Sequence, residues 1–227
     1  MGLRRLGARH PGGLVDRHDD DQGGPLTERR IGVLGGSFDP IHHGHLAVAS
    51  EVASILELEH VVFVPVGIPW HKGPLQASAE DRYAMTVLAT ESDNRFSVSR
   101  VDVDRAGVTY TVDTLRDLND EFRRSNPGHA ASWFFITGAD ALADLQRWRE
   151  PEEIFRMAHI VGVARPGHEA MESEVDSRAI RVEAPLLDIS STDIRERVRS
   201  GRPIRYLVPS AVASWIATHH LYHDGAS

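Results

Sequence analysis

Ile31-Gly32-Val33-Leu34-Gly35-Gly36-Ser37-Phe38-Asp39-Pro40-Ile41-His42-His43-Gly44-His45-Leu46 carries the reading on which the fold turns. Its opening, Ile31 to Leu34, is short and apolar, as a buried strand should be. Beyond it Leu46, Ala49, Ala53 and Leu56 recur at helical spacing, with Val48, Val52 and Ile55 alongside. The stretch is expected to run strand, glycine turn, helix. Amides at a helix start lack intrahelical acceptors, and with the helix dipole they attract an anion. Gly35 and Gly36 carry no Cβ and let a phosphate approach the main chain, and Ser37 and Phe38 are counted with them as nucleotide-binding. His42 and His45, three apart where the helix begins, can face the same way as those amides, with Gly44 leaving room for a bulky ligand. A nucleotide-phosphate site with imidazoles aimed at it is the expectation. A polar surface turn and a zinc site are the alternatives.

Two glycine motifs are excluded: the spacing is not G-x-G-x-x-G, and the Gly-Lys-Ser/Thr ending of a Walker A loop is absent. Near the C-terminal end, Ile189-Ser190-Ser191-Thr192-Asp193-Ile194-Arg195 supplies a second anion site. Ser190, Ser191 and Thr192 are N-cap types, Ile194 and Val198 give the helix an apolar side, and Arg195 lies one turn inside. By itself this is also what an ordinary capped surface helix looks like.

Composition bounds the reading. A chain of 227 residues with 41% apolar content suits one domain with a real core. Residues 1–30, rich in Gly, Arg and Asp, are expected to be a disordered leader, and 31–223 a single domain. No apolar run approaches the roughly 18 residues that span a bilayer, and no signal peptide is visible. Cysteine is absent, which excludes disulfides and thiolate metal sites. A formal charge of −8 argues against a general nucleic-acid binder. A soluble cytoplasmic enzyme acting on small molecules follows, as a monomer or a homo-oligomer.

Among 25 Lys and Arg, Lys72 is the only lysine. It sits in Pro69-Trp70-His71-Lys72-Gly73, after the apolar strand Val61 to Val64, where a compact ammonium can reach a phosphate. Further strands are expected at 96–103, 133–136 and 160–163. Helices are expected at 79–89 (with Tyr83, Met85 and Leu88 in the core), from a Thr111 cap through Leu118, and along Ala211, Val212, Trp215 and Ile216. The polar stretch 168–178 reads as a mobile loop. Strands alternating with helices imply an α/β fold, a doubly wound parallel sheet with helices on both faces and ligands beyond the carboxyl ends of its strands.

Three segments bear on a second substrate. Thr109-Tyr110-Thr111 precedes a helix whose free amides can receive a carboxylate. Trp148 offers a flat face for an aromatic ring. Thr137-Gly138-Ala139-Asp140 ends a strand at the ligand edge, with Asp140 placed to accept from ribose hydroxyls. A capped helix, a core tryptophan and a helix N-cap are the plain alternatives.

His42-His43-Gly44-His45 resembles the T/H-x-G-H signature of the adenylyltransferase superfamily, and the 189–195 segment resembles its I-S-S-T-x-x-R signature. With Thr109–Thr111, Trp148, Gly138-Ala139-Asp140 and Gly162 to Gly167, the chain from about Ile31 to Tyr222 resembles the nicotinate mononucleotide adenylyltransferases of NAD synthesis. Phosphopantetheine adenylyltransferases share the two main motifs but are shorter. The resemblance implies a Rossmann-like fold, ATP and nicotinate mononucleotide as substrates, and Mg²⁺ arriving with ATP. It implies that His42, His45 and Arg195 act on the phosphates of ATP, with Gly35, Gly36, Ser37, Phe38, Asp140, Ser190, Ser191 and Thr192 around the nucleotide. It further implies that Lys72, Thr109, Tyr110, Thr111 and Trp148 bind the mononucleotide, and no protein-held metal is expected. The leader has no counterpart in the family, and Trp70-His71 departs from its usual residues before the lysine. A nucleotide-binding regulatory module and a zinc hydrolase are the readings from other classes.

Overall fold

The computed structural model describes residues 28–70, 73–138, 141–142, 144–164, 178–184 and 187–223. The decisive stretch folds as its pattern requires, into strand β1 (Glu28–Gly36), a turn, and helix α1 (His43–Ile55). There follow β2 (His60–Pro65), β3 (Ile68–Pro69), α2 (Ala79–Thr90), β4 (Phe96–Val98), β5 (Val108–Thr109), α3 (Thr111–Ser125) and β6 (Ala130–Gly138). Helix α4 (Pro151–Met157), β7 (Ala158–Ala164), β8 (Ile180–Glu183), α5 (Ser191–Arg199) and α6 (Ser210–Thr218) complete the chain.

Six strands form one sheet in the order β4-β2-β1-β6-β7-β8, every neighbouring pair parallel. The chain winds outward from β1 on one side, then returns to its other side at β6. That reversal leaves a crevice beyond the carboxyl ends of β1 and β6, where open parallel sheets bind ligands. Period-two alternation along β6 places Phe134 and Ile136 on one face, packed with residues of α1, α2, α5 and α6. Trp133 and Phe135 face the other way, among Leu115 of α3 and Ile154 of α4. Helices cover both faces, as the alternation of elements predicts. Among the described residues no helix is long and apolar enough to cross a membrane.

Several boundaries differ from the sequence expectation. Strand β1 begins at Glu28, inside the expected leader, where Arg29 pairs with Glu59 at 3.1 Å and Arg30 donates to the Leu56 carbonyl. Residues 1–27 lie outside the described part. The expected strand 96–103 stops at Val98, and a turn follows in which the Asp104 amide bonds the Arg100 carbonyl at 2.9 Å. On α2, Arg82, Met85, Thr86 and Ala89 are buried, whereas Tyr83 and Leu88 are only half-buried. Ala211 of α6 is exposed, and Val212 and Ile216 form its buried side. Tyr110, not Thr111, occupies the cap position of α3. Of the stretch 168–178 only Arg178 is described, and it pairs with Glu152 at 2.7 Å. A two-stranded parallel ribbon, β3 with β5, escaped the sequence reading. It holds Trp70 beside Tyr110.

Candidate active site

Two cavities open at the sheet's crossover, one on each side, and Gly35 and Thr137 line both. The smaller, about 330 Å³, lies over the start of α1, where Gly35, His42, Gly44 and His45 face Thr137, Gly138, Leu187 and Ile189. The larger, about 440 Å³, lies over the start of α3, among Gly35, Gly36, Ser37, Trp70, Asp102, Thr109, Thr111, Thr114, Arg147 and Trp148.

At α1, His42 is the cap residue and His45 stands three positions inside. Their rings stack at 3.7 Å, and the His42 amide donates to Nδ1 of His45 at 3.2 Å. That bond requires Nδ1 to be unprotonated, so neutral His45 carries its proton on Nε2. The Phe38 ring, itself buried, meets His45 edge-on at 5.1 Å. Phe38 therefore supports the imidazole from beneath and lines neither cavity. Burial, with His43 nearby, lowers the His42 pKa to about 4, so the ring is neutral at neutral pH.

The glycines owe their identity partly to these rings. A Cβ on Gly44 would come within 2.9 Å of His42 Nδ1, and one on Gly36 within 2.8 Å of the Phe38 ring. Gly44 and Gly36 thus make room for protein side chains, and each also lines a cavity. Gly35 has only ordinary contact, 3.6 Å to Phe135. One expected anion donor is occupied as well: the His43 amide bonds the Leu207 carbonyl at 3.0 Å.

The two sequence motifs do meet, through contacts 151 and 156 residues apart in the chain, at the Asp39–Pro40 turn. Ser191 Oγ donates to the Pro40 carbonyl at 2.8 Å, and Arg195 Nη1 to the Asp39 carbonyl at 2.7 Å. Arg195 Nη2 reaches Thr192 Oγ1 at 3.2 Å, and Ser190 caps the helix by accepting from the Asp193 amide at 3.1 Å. The buried Asp39 carboxylate accepts from the amides of Gln76 and Ala77 and from the Tyr222 hydroxyl, at 2.8, 3.1 and 2.8 Å.

On the other side, Thr109, Thr111 and Trp148 line the larger cavity. Tyr110 does not: its ring faces Trp70 at 6.5 Å and lies under the Arg149 guanidinium at 4.9 Å. Lys72 and Asp140 lie outside the described residues, so their expected roles rest on the sequence. Asp102 went unnoticed in the sequence because nothing distinguishes it from the alternation around it. It is buried in the cavity wall and accepts from Thr114 Oγ1 at 2.8 Å, and burial raises its carboxyl pKa to about 6 against the pull of Thr114 and Arg105. Arg82 was also missed. A lone charge on the apolar face of α2 was the available signal.

Among the described residues four buried side-chain polar atoms lack a partner: His42 Nδ1, Thr109 Oγ1, Arg195 Nε and Arg105 Nε. Three belong to residues singled out by sequence. Buried polar groups are nearly always satisfied, so each of these four atoms stands out.

The site is an open parallel sheet with a histidine-bearing helix start at its crossover. A profile of the Cytidylyltransferase-like family matches residues 33–197. A protein of Leifsonia xyli, named probable nicotinate-nucleotide adenylyltransferase, is 55% identical over 88% of this chain and 99% of its own. One of the same name from Streptomyces coelicolor is 56% identical over 83% of this chain and 98% of its own. The chain belongs to the nicotinate-nucleotide adenylyltransferase family. In fold it is similar to the Plasmodium falciparum nicotinic acid mononucleotide adenylyltransferase solved with NaAD. The TM-score is 0.67 at 19% identity, covering 86% of this chain and 97% of that one.

Proposed function

We propose that the two cavities divide the substrates of one reaction, adenylyl transfer from ATP to nicotinate mononucleotide, giving nicotinate adenine dinucleotide and pyrophosphate. The observation that carries this reading is that both cavities share Gly35 and Thr137 at the sheet crossover. ATP takes the smaller, with its phosphates at His42 and His45. The mononucleotide takes the larger, with its ring between Trp70 and Trp148 and its carboxylate at the Thr109–Thr111 helix start. The two ends that must react then meet at Gly35.

The 5′-phosphate is already an anionic nucleophile, so no general base is needed. It attacks the α-phosphorus in line, one phosphorus–oxygen bond forms, and the bond to pyrophosphate breaks. The obstacle is bringing polyanions together and stabilising charge on the departing oxygens, which is the work of positioning and electrostatics. His45, and His42 beside it, donate to the phosphate oxygens as that charge grows. Arg195 and the first-turn amides of Ser191 and Thr192 hold the pyrophosphate. Lys72 neutralises phosphate and Asp140 accepts from ribose, as the family resemblance implies. Among the described residues no three His, Asp or Glu side chains converge to hold an ion. Mg²⁺ would enter with the triphosphate, as the family resemblance implies, held mainly by phosphate oxygens and water, and would screen its charge.

The test is ATP-dependent pyrophosphate release with each mononucleotide. Nicotinate mononucleotide is expected to support turnover, with kcat/KM above that of the nicotinamide form because only the acid offers a carboxylate to the α3 amides. Equal efficiencies would remove the carboxylate assignment, and no release with either would remove the reaction.

A further inference from the structure

Arg82 is 1% exposed, and every acceptor of its guanidinium among the described residues is a backbone carbonyl. Nη1 donates to Ser37 at 2.8 Å and Val66 at 2.6 Å, Nη2 to Gly67 at 3.1 Å and Nε to Ala77 at 3.3 Å. Ser37 belongs to the turn after β1, and Val66 and Gly67 to the turn after β2. These carbonyls lie where the two strands leave the sheet, beyond the ladder bond from the Val66 amide to the Gly36 carbonyl at 2.9 Å. A planar fork with five donors can satisfy several such acceptors in one plane, which an ammonium cannot.

We propose that Arg82 is a positioning residue that sets the shape of the larger cavity, and through it the affinity for the mononucleotide, by clamping the turns after β1 and β2 together. The proposal rests on the assignment of that cavity to the mononucleotide. Two of the clamped residues, Ser37 and Val66, line the larger cavity, and none of the four lines the smaller. The clamp also reaches the opposite wall. A Cβ on Gly67 would collide with the Asp102 carbonyl and fall 3.5 Å from Thr109 Oγ1, so this turn packs directly against two residues of the larger cavity's wall. Shifting the β2 turn therefore shifts Asp102 and Thr109 with it. His42 and His45 stand on α1, whose first amide bonds the Leu207 carbonyl, and the Asp39 turn between them and the clamp is tied to the Ala77 amide.

A buried arginine serving only general stability would weaken both substrates alike. A clamp on one cavity weakens one. The experiment measures KM for each substrate in Arg82→Lys and Arg82→Met, together with thermal melts. It also titrates mononucleotide against tryptophan fluorescence, since Trp70 and Trp148 line the cavity. The expected result is a rise of about tenfold or more in mononucleotide KM and Kd, with ATP KM changed by less than about threefold, and partial restoration of Arg82→Ala by millimolar guanidinium. Unchanged mononucleotide binding in Arg82→Lys, or equal loss for both substrates, overturns the proposal. So does failure of every variant to fold with no recovery in guanidinium, because Arg82 would then be a folding residue. A wild-type chain whose fluorescence ignores the mononucleotide defeats the functional reading and this inference with it. Wild-type binding that persists unaltered in the variants defeats this inference alone.

Discussion

His45 shows how one bond orients a group proposed to be catalytic. The His42 amide occupies Nδ1, so the neutral ring's proton is committed to Nε2 and needs no rearrangement as phosphate charge builds. Replacing His45 with Ala is expected to lower kcat by about 10²–10³, the usual effect of removing a donor to a developing oxyanion, with KM for ATP far less affected. A near-normal kcat in the pyrophosphate assay would take His45 out of the mechanism. His42 and Asp102 have opposite effects on stability. Unfolded His42 takes up a proton as pH falls from 6.5 to about 4, while the buried ring refuses it, so acid costs roughly 3 kcal/mol. Folded Asp102 keeps its proton up to about pH 6, while the unfolded carboxyl releases it at 3.8, so that contribution is present in acid and lost as pH rises. The two offset each other across the shared window. Asp102→Asn leaves the His42 loss unopposed, and its melting temperature should fall more steeply than the wild type's between pH 6.5 and 4.5. Parallel curves would refute the assignment.

Helix α1 sets element against residue. Gly44 lies in its first turn, where Ala would favour the helix by up to about 1 kcal/mol. A Cβ there would nonetheless press on His42 Nδ1 from 2.9 Å. Gly44→Ala is therefore expected to melt no lower than the wild type, yet to lose tenfold or more in kcat/KM for ATP. Retained activity would show that the His42 ring can move without consequence. Helices α1, α2 and α5 and the four long strands were legible from recurrent apolar residues at local spacing and, for α5, a serine cap. The β3–β5 ribbon was not: two-residue strands carry no period, and their pairing joins segments 40 residues apart. The turn after Val98 was also hidden, because alternation at 99–103 looks like strand whether or not a neighbour exists to pair with it.

Across the whole molecule, the chain's last described segment returns to the nucleotide turn. Tyr222, almost fully buried, donates to Asp39 across a separation of 183 residues. Tyr222→Phe leaves a buried carboxylate short of one donor and should cost about 1–3 kcal/mol in urea unfolding; a loss below about 0.5 kcal/mol would mean that solvent replaces the hydroxyl. Nothing local marks Tyr222 or Asp102, and Arg82 is marked only as a lone charge on an apolar helix face. Their partners lie in other elements, and a side chain's burial depends on what folds over it. By itself the sequence determined the sheet class, the histidine helix start, the serine-capped arginine helix and the family. These depend on short-range periodicity, capping and motif spacing, which act within a few residues. Only the tertiary structure decided that the glycines of the first motif accommodate His42 and Phe38, that two cavities share one wall, and that a buried guanidinium joins the turns between them. Those facts concern packing between distant segments, and packing is settled only when the whole sheet has assembled.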